Sequence, residues 1–229
     1  MKTIGLIGGV TWHSTLLYYR IINESVNRRL GGLHSSRCII YSIDFDDMAG
    51  KNEGRWDVIS KDFIDIAGKL EAGGVDFLII CANTIHKIYD KIQNSVGIPV
   101  LHIVDCTGEK IVEKGFSRVG LLGTKYTMGE NFYKDRLKEK FGVDVVVPEG
   151  DDFNFVHDVI IKDLTIGLIK KSSKQRYIDI IDGLVDKGAE GVILGCTEIP
   201  LLINEGDVDV PVFDTTGIHA EAAVDFALK

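Results

Sequence analysis

The chain has 229 residues, 45% of them apolar, with 26 basic against 34 acidic side chains and a net charge of −8. That length suits one large domain or two small ones around a substantial core. An acidic chain with no dense Lys/Arg run is not built for nucleic acid or an anionic membrane, whereas a small anionic substrate held by a few local donors is compatible with it.

The N-terminus, MKTIGLIGGVTWH, reads as a first strand and lacks the apolar core of a signal peptide. No run approaches the roughly 18–20 apolar residues of a membrane helix, so a cytoplasmic location is expected. Four scattered cysteines (Cys38, Cys81, Cys106 and Cys196) with no CxxC spacing point to reduced thiols rather than a disulfide framework.

In chain order, short apolar runs predict strands at Thr3–Leu6, Cys38–Ile43, Phe77–Cys81, Val100–Ile103, Arg118–Leu122, Val143–Val147, Val192–Gly195 and Val212–Phe213. Helical spacing links Ile59, Phe63, Ile66, Ala67 and Leu70, then Ile85, Ile88, Tyr89 and Ile92, and later Ile178, Ile181, Leu184 and Val185. Alternation of near-continuous apolar strands with helices predicts an α/β fold of parallel sheets flanked by helices.

The pattern also repeats. Ile4-Gly5-Leu6-Ile7-Gly8 matches Val119-Gly120-Leu121-Leu122-Gly123, and the run ending in Cys81 matches the run ending in Cys196, both at a spacing of 115 positions; Ile98-Pro99-Val100 matches Val210-Pro211-Val212 at 112. Two pseudo-symmetric lobes follow, 1–103 and 104–229, with the C-terminal helix able to pack back onto the first. Ligands of open parallel sheets bind beyond the carboxyl ends of the strands. The expected active site therefore lies in the cleft between the lobes, each contributing an equivalent cysteine.

Cys81, in Cys81-Ala82-Asn83-Thr84, and Cys196, in Gly195-Cys196-Thr197-Glu198-Ile199-Pro200, each end a strand just before a predicted helix. Asn83, Thr84 and Thr197 are N-cap residue types, and Pro200 suits a first helical turn. A thiol at such a helix start is expected to have a lowered pKa and to serve in proton transfer. The plain alternative is a core thiol, which is the reading for Cys38 and Cys106.

These two motifs, together with the opening Gly5-Leu6-Ile7-Gly8-Gly9-Val10-Thr11-Trp12-His13-Ser14-Thr15, resemble the aspartate/glutamate/hydantoin racemase superfamily over essentially the whole chain, above all its aspartate and broad-specificity amino-acid racemases. The resemblance implies racemisation of an anionic amino acid without pyridoxal phosphate, metal or other cofactor, and a homodimer. Cys81 and Cys196 would act from opposite faces of the α-carbon, one as thiolate and one as thiol, exchanging states at each turnover. Stabilising the carbanion requires donors to the substrate carboxylate. Asn83, Thr84 and Thr197 are the natural ones, with Thr124 and Thr127 in the turn of the second lobe that matches the Gly8-Gly9 turn. Thr11, Trp12 and Ser14 after the Gly8-Gly9 turn would line the cleft, although Trp12 is equally explained by ordinary packing. Glu198 would hold the substrate ammonium or orient Cys196, or be a carboxylate favoured by a helix start.

The Gly8-Gly9 turn is not GxGxxG and no phosphate-binding lysine follows it. A partner for the substrate side chain would come from Lys51, Asn52, Arg55 or Lys162, although a surface position is the more common explanation for such lysines. His86, His102 and His219 lack the clustered spacing of a zinc site, and His102, at a strand end, is the one most worth testing. Competing readings are a cysteine-dependent isomerase or decarboxylase of dicarboxylates, a hydantoin racemase, a non-catalytic two-lobed amino-acid-binding protein, and a redox dithiol.

Overall fold

A computed structural model describes residues 1–48 and 54–229. Lys51 and Asn52 lie outside the described residues. The chain forms two compact units, Met1–Ile103 with His219–Lys229, and Val104–Ile218.

The first unit runs β1 (Ile4–Gly8), α1 (Trp12–Leu30), β2 (Cys38–Ser42), the single turn α2 (Phe45–Met48), α3 (Trp56–Ala72), β3 (Phe77–Ile80), a 3-10 segment Thr84–Ile88 leading into α4 (Tyr89–Gln93), and β4 (Val100–Leu101). All pairings are parallel, in the order β2-β1-β3-β4. Side chains of successive strand residues point to opposite faces, and β1 and β3 are apolar at every position because both faces are covered. Ile7, Leu78 and Ile80 pack with Ile59, Phe63, Ile66, Ala67 and Leu70 of α3. Ile4, Leu6, Phe77, Ile79 and Cys81 pack on the other face with Tyr18, Ile22 and Val26 of α1 and with Ala220, Ala223, Val224 and Ala227.

Those last residues belong to α10 (Thr215–Leu228), which follows directly on the strand Val212–Asp214 of the second unit. From His219 onward it lies in the first, so residues 219–229 leave the 104–229 span and complete the core around Tyr18. Lys2 N also donates to Ala227 O at 2.9 Å.

The second unit contains α5 (Ile103–Glu113) from Val104 onward, then β5 (Arg118–Gly123), α6 (Lys125–Gly129), α7 (Asn131–Phe141), β6 (Asp144–Val146), α8 (Gly150–Lys162), α9 (Lys171–Asp186), β7 (Val192–Gly195) and β8 (Val212–Asp214). Its strands are also all parallel, in the order β6-β5-β7-β8, so the strands preceding Cys81 and Cys196 occupy the same place in their sheets. Asp105 in α5 is bound by Arg136 Nη2 at 2.7 Å and Lys140 Nζ at 2.6 Å, both from α7.

The expected strands form within a residue or two of their predicted limits, with one informative shift. The strand expected over Val100–Ile103 ends at Leu101, and Ile103 opens α5. Among the described residues no helix is long and apolar enough to cross a membrane.

Candidate active site

Three turns of the first unit meet near Cys81. Gly9, with φ +87, lets the chain leave β1; a Cβ there would stand 2.3 Å from both Ile43 N and Ile43 O. The turn is then held from below, since Thr15 Oγ1 accepts from Gly9 N at 2.8 Å. Thr11 caps α1 by accepting from Ser14 N at 3.2 Å. Ser14 Oγ in turn donates to Cys81 O at 2.9 Å, tying the start of α1 to the end of β3. Cys81 N donates to Ile7 O at 2.9 Å and extends the strand ladder by one residue. Its side chain is 1% exposed.

Beyond Cys81, Asn83 is buried and occupies the N-cap position of Thr84–Ile88 without a side-chain capping bond. Ile103 N donates to His86 Nε2 at 3.2 Å, so Nδ1 carries the ring hydrogen and donates to Ala82 O at 2.8 Å. His219 is held similarly: Nε2 donates to Leu101 O at 3.1 Å and Nδ1 accepts from Tyr18 OH at 3.0 Å. Burial, with His86 nearby, lowers the His219 pKa to about 3, so the ring is neutral. His102 is buried against His86, ring centroids 4.7 Å apart. These histidines brace the chain around the end of β3. Among the described residues no group of three His, Cys, Asp or Glu is arranged to hold a metal ion.

In the second unit the β5–β7 register pairs Gly123 with Gly195, which brings the turns at Thr124 and Cys196 to the same level. Thr124 caps α6 by accepting from Thr127 N at 3.4 Å, and the two hydroxyl oxygens lie 3.3 Å apart. Cys196 Sγ donates to Glu198 Oε2 at 2.9 Å, and Thr197 Oγ1 donates to the same oxygen at 2.7 Å. Glu198 and Thr197 are buried while Cys196 is partly exposed. Thr215 Oγ1 donates to Leu194 O at 2.8 Å beneath this turn.

The expected lowering of the thiol pKa values is overturned. Burial pushes Cys81 well up. Cys196 is raised by burial first, then by the charge of Glu198 and its hydrogen bond. Local helix geometry offers little to offset this. Neither cysteine precedes an α-helix directly: Thr84–Ile88 and Ile199–Leu201 are short 3-10 segments, with Pro200 in the first turn of the second. The N-cap of that second segment is Glu198, so Thr197 stands one residue outside it.

Other expected residues divide clearly. Trp12 is 62% exposed and stacks on His13. Arg55 sits at the exposed start of α3 without a side-chain capping bond. Lys162 pairs with Asp158 one turn away on the exposed side of α8, 2.9 Å apart, as a surface lysine does. Cys38 is partly buried and Cys106 buried, with burial first among the causes that raise the Cys106 pKa to about 12. Sequence reasoning missed Thr15 and Tyr177. Thr15 sits one turn after Thr11 and was readable as a turn-holding hydroxyl. Tyr177, buried in α9 and close enough to Cys196 for that thiol to raise its pKa further, carries no sequence signal beyond helical spacing.

The family profile described as Asp/Glu/Hydantoin racemase matches residues 7–223, from the last residues of β1 to the middle of α10. The chain belongs to this racemase family. Its fold is the two-unit parallel α/β arrangement of Asp/Glu racemases. A candidate Asp/Glu racemase from Yersinia pestis superposes with a TM-score of 0.94 at 44% identity, each chain covered completely. An aspartate racemase homologue from Pyrococcus horikoshii OT3 does so at 0.88 and 38%, again over both whole chains. Among curated racemases, the broad specificity amino-acid racemase RacX of Bacillus subtilis is 27% identical over 68% of this chain and 66% of its own length. Its alignment thus leaves about a third of the RacX chain unmatched.

Proposed function

We propose that this racemase-family protein interconverts the enantiomers of aspartate, glutamate or both by two-base proton transfer between Cys81 and Cys196, without pyridoxal phosphate or metal. The observation that carries the reading is the matched setting of the two thiols. Each follows the third strand of a four-stranded parallel sheet, in strand order 2-1-3-4, and each lies beside a threonine-capped turn.

Racemisation removes the α-proton from one face and returns a proton to the other, so two groups that merely exchange protonation states suffice. The Cα–H electron pair passes into the α-carboxylate, and the developing charge needs preorganised donors. Asn83, Thr84 and Thr197, supported by Thr11, Ser14, Thr124 and Thr127, are assigned that role. Trp12 would line the site from its exposed position. The burial of Cys81 suits the task in one respect: a thiolate stripped of water is a stronger base toward a carbon acid. The anionic substrate class draws support from the family and from the names of its relatives, and the site is read as that of a homodimeric cytoplasmic enzyme.

The test is decay of the circular dichroism signal of enantiopure L- and D-aspartate and L- and D-glutamate with purified protein and no added cofactor. The expected result is decay to zero from either enantiomer of at least one of them. Ligand-induced thermal stabilisation without decay would instead make the protein a binding protein.

A further inference from the structure

The two thiols are not equivalent. Cys196 Sγ and Thr197 Oγ1 both donate to one oxygen, Oε2 of Glu198, a residue that is only 4% exposed. Cys81 belongs instead to the apolar cluster that holds Leu6, Tyr18 and Ile79, and no described residue shares a hydrogen bond with its sulfur. Tyr177 of α9, the further titratable group that Cys196 influences, donates its hydroxyl hydrogen to Val156 O at 2.8 Å and stays neutral. An oxygen already accepting two short bonds is poorly placed to take a substrate ammonium as well, which favours the alternative in which Glu198 serves its neighbouring thiol.

We propose that Glu198 is a positioning residue that fixes the proton assignment of the pair, holding Cys196 as the S–H donor and leaving the thiolate to Cys81. The physical reason is like-charge repulsion. A thiolate at Cys196 would lie against a buried negative carboxylate and lose the S–H bond to it, whereas a thiolate at Cys81 meets no neighbouring charge. Burial disfavours both ionised forms, and the carboxylate adds to that cost on one side alone.

The catalytic consequence rests on the proposed racemase reading. In the ground form the Cys81 thiolate takes the α-proton, breaking Cα–H and forming S–H, while the electron pair moves into the substrate carboxylate. Cys196 then gives its proton to the opposite face, a new Cα–H bond forms, and the thiolate is left at Cys196. The enzyme resets when Cys196 takes a proton from solvent and Cys81 loses one, or when the opposite enantiomer reacts. Because the equilibrium constant of racemisation is one, kcat/KM is equal for the two enantiomers in every variant, and the asymmetry appears only in kcat and KM taken separately.

The experiment measures iodoacetamide labelling rates at Cys81 and Cys196 by peptide mass spectrometry, at one mildly alkaline pH, in the unmodified protein, Glu198→Gln and Glu198→Asp. Labelling follows the thiolate fraction. In Glu198→Gln the rate at Cys196 is expected to rise about tenfold or more, the effect of losing one neighbouring charge, with the rate at Cys81 unchanged. Glu198→Asp keeps the charge and should stay near the unmodified rate at Cys196. An unchanged or slower rate at Cys196 in Glu198→Gln overturns the proposal, and so does an equal rise at both thiols, which would report loosened packing. In an active enzyme Glu198→Gln should also change the ratio of kcat values for the two enantiomers. The labelling result is independent of turnover, so a selective rise at Cys196 in a protein that racemises nothing sustains the proton assignment and refutes the racemase reading, and turnover without that rise does the reverse.

Discussion

At the scale of single residues, the polar atoms around Cys81 act mostly as braces. His219 shows what that requires. Its ring is neutral in the folded protein, with a pKa near 3 against an ordinary 6.5. The unfolded chain therefore binds one more proton between those values, and the stability this residue contributes is complete above pH 6.5 and declines as the pH falls toward 3. His219→Gln, which has no proton to gain, should show a shallower loss of Tm on acidification across that window, read by thermal melts against the parent. An identical pH slope would mean the ring titrates normally. For the thiols themselves, Cys81→Ser and Cys196→Ser should each lower kcat by about two orders of magnitude or more, as loss of an acid/base group does. That these two cysteines stand apart from Cys38 and Cys106 is readable in the sequence, because strand ends and repeat spacing are written there. The direction of their pKa shifts is not, because it depends on how deeply the folded core buries them and on which carboxylate folds back onto the sulfur.

At the scale of elements, the runs that predict the inner strands β1, β3, β5 and β7 do so because strands covered on both faces need apolar side chains almost throughout. Helix α3 was equally readable from its spacing, and Phe63 anchors it to the sheet with no exposed surface. Phe63→Ala should cost about 3–5 kcal/mol, measured as a fall in the urea midpoint with a similar slope. A cost under about 1 kcal/mol would mean the α3 face is not packed as described. The segment after Cys81 was misread for a definite reason. Ile85, Ile88, Tyr89 and Ile92 have the i, i+3, i+4, i+7 spacing of an α-helix, yet only Tyr89–Gln93 is α-helical while Thr84–Ile88 winds as 3-10, because apolar spacing over eight residues does not register where one winding gives way to the other. The distinction matters, since a short 3-10 start offers the thiol little of the field that an α-helix would.

At the scale of the whole molecule, the repeat announces two similar halves, and each folds into a sheet of the same strand order. The C-terminal helix is expected to be able to pack back onto the first lobe, but the repeat alone does not fix that use, because Ala220, Ala223, Val224 and Ala227 would suit any apolar face. In the structure they fill the core of the first unit beside Tyr18 and Phe77. A chain ending at Ile218 should therefore lose the cooperative unfolding of the first unit while the second retains its own, followed by hydrogen exchange of amides in β3 and β7. Protection kept equally in both strands would contradict that use of α10. The central claim, proton transfer by two separate thiols, is tested most directly by racemisation of L-aspartate, or of whichever amino acid proves to be turned over, in heavy water at low conversion. A two-base enzyme gives product of opposite configuration carrying deuterium at the α-carbon while recovered substrate keeps protium. Deuterium in the recovered substrate to the same extent as in the product would contradict it, because one exchanging base would then be serving both faces.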